Sequence, residues 1–234
     1  MRAAPLAVLL LCSAAARAER APDVAPFVSV DAKVVALTHV RVIDGTGSPA
    51  SEDQTVLIEG GRLQALGAFG SVAVPAGALT LDRAGYSVIP GLVGLHNHLF
   101  YTSSISTQRS ADGHIAEPGL IIQQLSYSAP RLYLAAGVTT MRTTGSEEPY
   151  TDLKIKRRID DGLMPGPHLD VTGPYLEGKP SPFAPMHELR SAEDARRLVD
   201  YWASEGVTSF KAYINLTRKK IGRASCRERV CVPV

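Results

Sequence analysis

Val88-Ile89-Pro90-Gly91-Leu92-Val93-Gly94-Leu95-His96-Asn97-His98 is an apolar run that ends in two imidazoles one residue apart. Side chains alternate along a strand, so His96 and His98 face one way and Asn97 the other. Two neutral ring nitrogens on one face make half of a metal site. The alternative is a pair of histidines at a polar strand end that bind nothing. The run before them does not alternate, which is how a strand buried on both faces reads. Such strands belong to parallel sheets covered by helices. In those sheets the functional end is the carboxyl end, and both histidines fall there.

Upstream, residues 34–44 (VVALTHVRVID) alternate and are rich in β-branched residues, which predicts a strand. Residues 55–59 and 62–67 flank Gly60-Gly61 and read as a hairpin, and residues 80–82 and 86–88 continue the β pattern. His39 lies inside this region and is expected to be structural. Downstream of His98 comes a long polar segment, residues 101–118, where His114 reads as a solvated loop residue. Helical spacing over residues 120–136, a stop at Gly137 and a β-rich run over 138–143 predict a helix and a second strand. Residues 152–163 predict a helix with a solvated basic face, and residues 168–174 a third strand, which His168 opens at the end away from the chemistry.

The loop over residues 175–190 carries His187, a candidate substrate contact because the loop leaves the carboxyl end of strand three. Ser191 and Asp194 form a capping-box pattern. Ala195, Leu198, Val199 and Trp202 recur at helical spacing, placing Trp202 against the sheet. Gly206 ends that helix, and residues 207–213 predict strand four with Lys211 inside it. A lysine facing a buried interior is costly as an ammonium, and burial lowers its pKa. The free amine can add carbon dioxide to give a carbamate, an anionic oxygen ligand able to bridge two metals. Alternatively, Lys211 snorkels and keeps its amine in water.

The string Pro90-Gly91-Leu92-Val93-Gly94-Leu95-His96-Asn97-His98 resembles the strand-one signature of the metal-dependent amidohydrolase superfamily. Val207-Thr208-Ser209-Phe210-Lys211 resembles the strand-four segment of its hydantoinase-like and dihydroorotase-like members, where the lysine is carboxylated and bridges. The resemblance covers roughly residues 34–220 and is closest to secreted members near the imidazolonepropionase and Xaa-Pro dipeptidase-like groups. It implies an α/β fold, the N-terminal part of a (β/α)8 TIM barrel preceded by a small β-sandwich. It further implies a divalent metal centre, commonly two zinc ions, with His96 and His98 on one metal and carboxylated Lys211 bridging. The implied reaction is hydrolysis of a C–N bond, a non-peptide or dipeptide amide, by a metal-activated hydroxide on a small-molecule substrate. Superfamily members also open lactones and deaminate bases, and some scaffolds of this fold are non-catalytic. The letters H-N-H are not the nuclease motif of that name, because nothing basic or aromatic surrounds them to hold a phosphate backbone.

Domain boundaries follow. Residues 1–18 read as a signal peptide: Arg2, an apolar core from Leu6 to Leu11 too short to span a bilayer, and the small-residue site Ala16-Arg17-Ala18. Cleavage after Ala18 would export the protein, to the periplasm or the medium. Residues 19–86 are assigned to the sandwich and 87–220 to the first half of the barrel. The last stretch, residues 221–234, holds two of the three cysteines, Cys226 and Cys231, and reads as translated adapter DNA or as a short natural tail. Cys12 lies in the leader, so the body needs no disulfide, which suits a large core. The net charge of +2 carries no nucleic-acid footprint, and no later segment is apolar and long enough for a membrane helix. Composition does not fix the oligomeric state. A closed barrel needs eight strand–helix units, so half of one on its own is expected to be poorly soluble and without hydrolase activity.

Overall fold

The computed structural model describes residues 20–99, 128–181, 186–219 and 230–231. The leader (residues 1–18), His114, the first part of the helix expected over 120–136 and most of the tail therefore lie outside the described residues.

The alternating N-terminal segments form one sheet. Strands β1 (Val34–Val42), β2 (Ser51–Glu59) and β3 (Arg62–Ala68) run antiparallel in the order β3-β2-β1. The Gly60-Gly61 turn closes the β2–β3 hairpin with both residues at positive φ, as a two-residue turn requires. On the other edge of β1 lie β4 (Leu79–Asp82) and β5 (Ser87–Val88), each parallel to it and one after the other along its length. Val40, Val42 and Val56 are the buried core of this layer. β1 is irregular: its register with β2 shifts on either side of Val40, and His39 adopts φ 58°. His39 is held there by Asp53, Nδ1 to Oδ1 at 2.8 Å, and by the Phe69 ring at 3.8 Å. It serves a bulge, as expected of a structural histidine. A second sheet facing this one is not found among the described residues.

The stretch 88–98 is not a single strand, which corrects the sequence expectation. Val88 ends the first sheet, Pro90 and Gly91 carry no ladder, and β6 (Leu92–Asn97) opens a second sheet. β6, β7 (Val138–Thr143) and β8 (His168–Asp170) pair in parallel in that order. Single parallel bridges from Thr172 to Ser209 and from Leu176 to Ala212 extend the order to β9 (Phe210–Lys211), which pairs in turn with β10 (Val230–Cys231). Helices α1 (Ser128–Ala135), α2 (Pro149–Asp160) and α3 (Ala192–Ser204) precede β7, β8 and β9. Parallel strands alternating with helices make this a mixed α/β chain.

α2 begins three residues before the expected start because Pro149 suits a first helical turn, and it stops at a Schellman motif. There Gly162, at φ 68°, donates to Ile159 O and Leu163 N donates to Arg158 O. α3 starts at Ser191, whose hydroxyl accepts from Asp194 N. Met141, Ile155, Leu169, Val171, Leu176, Leu189, Val199, Val207 and Phe210 form the core, with Trp202 packed against it. β6 departs from the expected burial. Leu92, Val93 and Leu95 are 49, 61 and 72 % exposed. β6 is the edge strand of its sheet, laddered on one side to β7, so a run apolar on both faces has cover for only part of its surface.

Candidate functional site

The carboxyl ends of the parallel strands converge. His96 is the penultimate residue of β6 and His98 follows the strand, their rings 5.7 Å apart and inclined at 70°. The loop after β7 crosses beneath them. Its Thr144 donates through the backbone to Asn97 O, and Gly145 N donates to the hydroxyl of buried Thr172 at 2.7 Å. That threonine is tied to the end of β7 by Thr143, through 3.2 Å between hydroxyls and 2.9 Å from Thr172 N. The Gly145 carbonyl is thereby aimed at His98 Nδ1, 3.3 Å away. A proton on Nδ1 donated to that carbonyl leaves the Nε2 lone pair for a metal. The His98 pKa is lowered to about 4, first by burial and then by the nearby charge of Lys211, while the hydrogen bond to the Gly145 carbonyl works the other way. At neutral pH His98 is therefore an uncharged imidazole, the form that ligates.

Lys211 lies across the site, in β9. Its Nζ sits 5.1 Å from the Tyr175 ring centroid and 4.9 Å from that of Tyr213, and the two rings meet edge-on at 5.2 Å. Burial lowers the lysine's pKa, and Glu177 opposes that shift. Glu177 is fully buried, and burial raises its own pKa above the usual carboxylate range. A hydrogen bond from the Ser181 hydroxyl partly offsets the rise.

Tyr175, 1 % exposed, stacks on His98 at 6.4 Å and 17°, with its hydroxyl 3.5 Å from His98 Nδ1. The buried carboxylate of Asp152, on the first turn of α2 after the Gly145 loop, has its pKa raised to about 7, chiefly by desolvation.

His96, His98 and Lys211 thus lie at one end of one sheet. His187 is engaged elsewhere: its Nε2 is 3.0 Å from Asp194 Oδ2 at the start of α3, and the same oxygen accepts from Arg190 N. His168 is exposed at the opposite end of β8. Tyr175 and Glu177 are the residues that sequence reasoning missed. The available signal was the run Gly173-Pro174-Tyr175-Leu176-Glu177, where a carboxylate follows an apolar strand end.

The donors suit a divalent metal in kind, since a neutral imidazole beside a second one is a usual ligand pair. They are few in number. No group of three or more His, Cys, Asp or Glu able to hold a metal is found among the described residues. Lys211 could add to the set only as a free amine or a carbamate, because an ammonium has no lone pair.

No family model matches the chain. It is 31 % identical over 159 residues to a dihydroorotase of Geobacter sulfurreducens, covering 65 % of this chain and 32 % of that one. It is 30 % identical over 118 residues to an imidazolonepropionase of Vibrio cholerae, covering 50 % of this chain and 27 % of the relative. The chain thus spans about a quarter to a third of the length of the curated relatives it matches. Among solved structures it resembles a Xaa-Pro dipeptidase with methionine bound in its active site, at TM-score 0.65 and 14 % identity, covering 85 % of this chain and 56 % of that one. Phenylurea hydrolase B aligns at TM-score 0.63 and 19 % identity, over 86 % of this chain and 55 % of its own. The sequence relatives are hydrolytic enzymes, and the structural neighbours share this chain's fold. These relatives and neighbours support the amidohydrolase superfamily for this chain, which matches only part of their length.

Proposed function

We propose that this chain supplies the first strands of a (β/α)8 barrel and part of a preceding β-sandwich in a metal-dependent hydrolase of C–N bonds. The observation that carries the reading is the convergence of His96, His98 and Lys211 at the carboxyl ends of parallel strands, with His98 neutral and its Nδ1 turned to the Gly145 carbonyl. A divalent metal bound there, such as zinc, would supply Lewis acidity toward water and toward a substrate carbonyl. The chain's residues prepare that centre. Gly145, accepting from His98 Nδ1, leaves Nε2 as the nitrogen that would take the metal.

Burial biases Lys211 toward the free amine. That amine attacks carbon dioxide, forming an N–C bond and releasing one proton, and the resulting carbamate is an anion suited to bridging two dications. The substrate is a small amide, either non-peptide or a dipeptide. His187, on the loop that follows β8, would touch it only by leaving Asp194, which holds its Nε2 at 3.0 Å. Export through cleavage near Ala18 belongs to the same reading.

The test is purification of the full-length protein, metal analysis, and assay against dipeptides, cyclic amides and lactones under one set of conditions. Metal-dependent release of an amine or opening of a cyclic amide supports the reading. A protein that binds metal yet opens only lactones moves it to another reaction of the superfamily. One that binds no divalent metal and cleaves nothing refutes it.

A further inference from the structure

Tyr175 lies against His98, the Gly145 loop and Lys211, and neither metal ligation nor the chemistry at the carbonyl explains its burial. It is 1 % exposed, yet it comes from the irregular segment after β8, where burial of a phenol calls for a purpose. One face stacks on His98. The ring approaches Gly145 so closely that a Cβ there would lie 2.6 Å from two of its carbons. Its centroid is 5.1 Å from Lys211 Nζ, which Tyr213 flanks from a second direction at 4.9 Å. The groups it contacts lie just after β6, in the loop after β7 and in β9, so a single ring spans three strand ends.

We propose that Tyr175 is a positioning residue that locks His98, the Gly145 carbonyl and Lys211 into one rigid unit, with Tyr213 completing an aromatic bracket around the lysine. The inference rests on the reading of His96, His98 and Lys211 as the metal centre. An amine held between two ring faces is restricted to one region and cannot swing out to solvent. An imidazole stacked on the same ring keeps its Nδ1 toward the carbonyl that sets its tautomer. Shape carries the effect more than the hydroxyl does, because the hydroxyl is at the limit of hydrogen-bond reach, 3.5 Å from His98 Nδ1.

Wild-type full-length protein is compared with Tyr175→Phe, Tyr175→Leu and Leu169→Ala, the last being a buried truncation in β8 that controls for lost stability. Two properties are measured: cobalt(II) affinity with the visible spectrum of the bound ion, and the rate of Lys211 acetylation in metal-free protein, resolved by peptide mass spectrometry. Tyr175→Phe is expected to keep the wild-type spectrum and labelling rate. Tyr175→Leu is expected to weaken cobalt at least tenfold, change its spectrum and speed labelling of Lys211 at least tenfold, while Leu169→Ala leaves affinity and labelling rate within twofold and the spectrum unchanged. Wild-type values in Tyr175→Leu, or equal losses in Leu169→Ala, would overturn the proposal. If wild-type protein binds no cobalt, the metal reading fails by itself, and the labelling rates still decide whether Tyr175 positions the lysine.

Discussion

Replacing Gly145 with alanine tests the packing of the site without removing any candidate ligand. Gly145 sits at φ 80°, where an L side chain costs about 1–2 kcal/mol. The new methyl would also meet Cε1 and Cζ of Tyr175 at 2.6 Å and Cδ1 at 2.9 Å. Tyr175 is buried between His98 and Lys211 and has little room to withdraw, so the overlap adds about 1–3 kcal/mol. The combined cost is about 2–5 kcal/mol. Gly47 is the matched control: its φ is 88° and a Cβ there meets nothing within 4 Å, so its replacement carries the backbone cost alone. Urea denaturation of the full-length protein, read as a change in midpoint at constant slope, measures both. If Gly145→Ala costs no more than Gly47→Ala, the ring does not press on the Gly145 loop and the arrangement around His98 is wrong.

Two further substitutions probe the surroundings. Asp152 has a folded pKa near 7, raised by burial from 3.8, so the folded state binds the extra proton between about pH 4 and pH 7. Stability is therefore lost as pH rises through that window, by up to about 4 kcal/mol. Asp152→Asn should flatten the dependence and gain stability at pH 8 relative to wild type, and denaturation at pH 4, 6 and 8 would show whether it does. His187→Ala removes an exposed hydrogen bond to Asp194, so it should cost about 1 kcal/mol and leave metal content unchanged, as denaturation and elemental analysis can check.

The parts of the fold that local chemistry dictates were legible in the sequence. The Gly60-Gly61 hairpin, the parallel strand that carries His96 near its end and the Ser191 cap each depend on residues close together in the chain. β6 was misread because apolar composition predicts burial only if both faces are covered, and Leu92, Val93 and Leu95 remain exposed. Other features depend on distant partners. His39 occupies a bulge whose support, Asp53 and Phe69, comes from further along the sheet. Tyr175 and Glu177 acquire their roles only when β6, the loop after β7 and β9 converge on the end of β8; the run over residues 173–177 marks a carboxylate after an apolar strand end but not the partners it meets. His96, His98 and Lys211 were legible because they are chemically unusual in apolar strands, and the fold brings them to one end of the sheet.

The central claim is tested most directly by counting bound metal in the full-length protein purified with bicarbonate, as wild type and as His96→Ala, His98→Ala and Lys211→Ala, with His39→Ala and His168→Ala beside them. Wild type and the two controls should carry the same stoichiometry, the two histidine variants should lose metal and activity together, and Lys211→Ala should lose at least one metal. Equal loading across all six proteins would contradict the account.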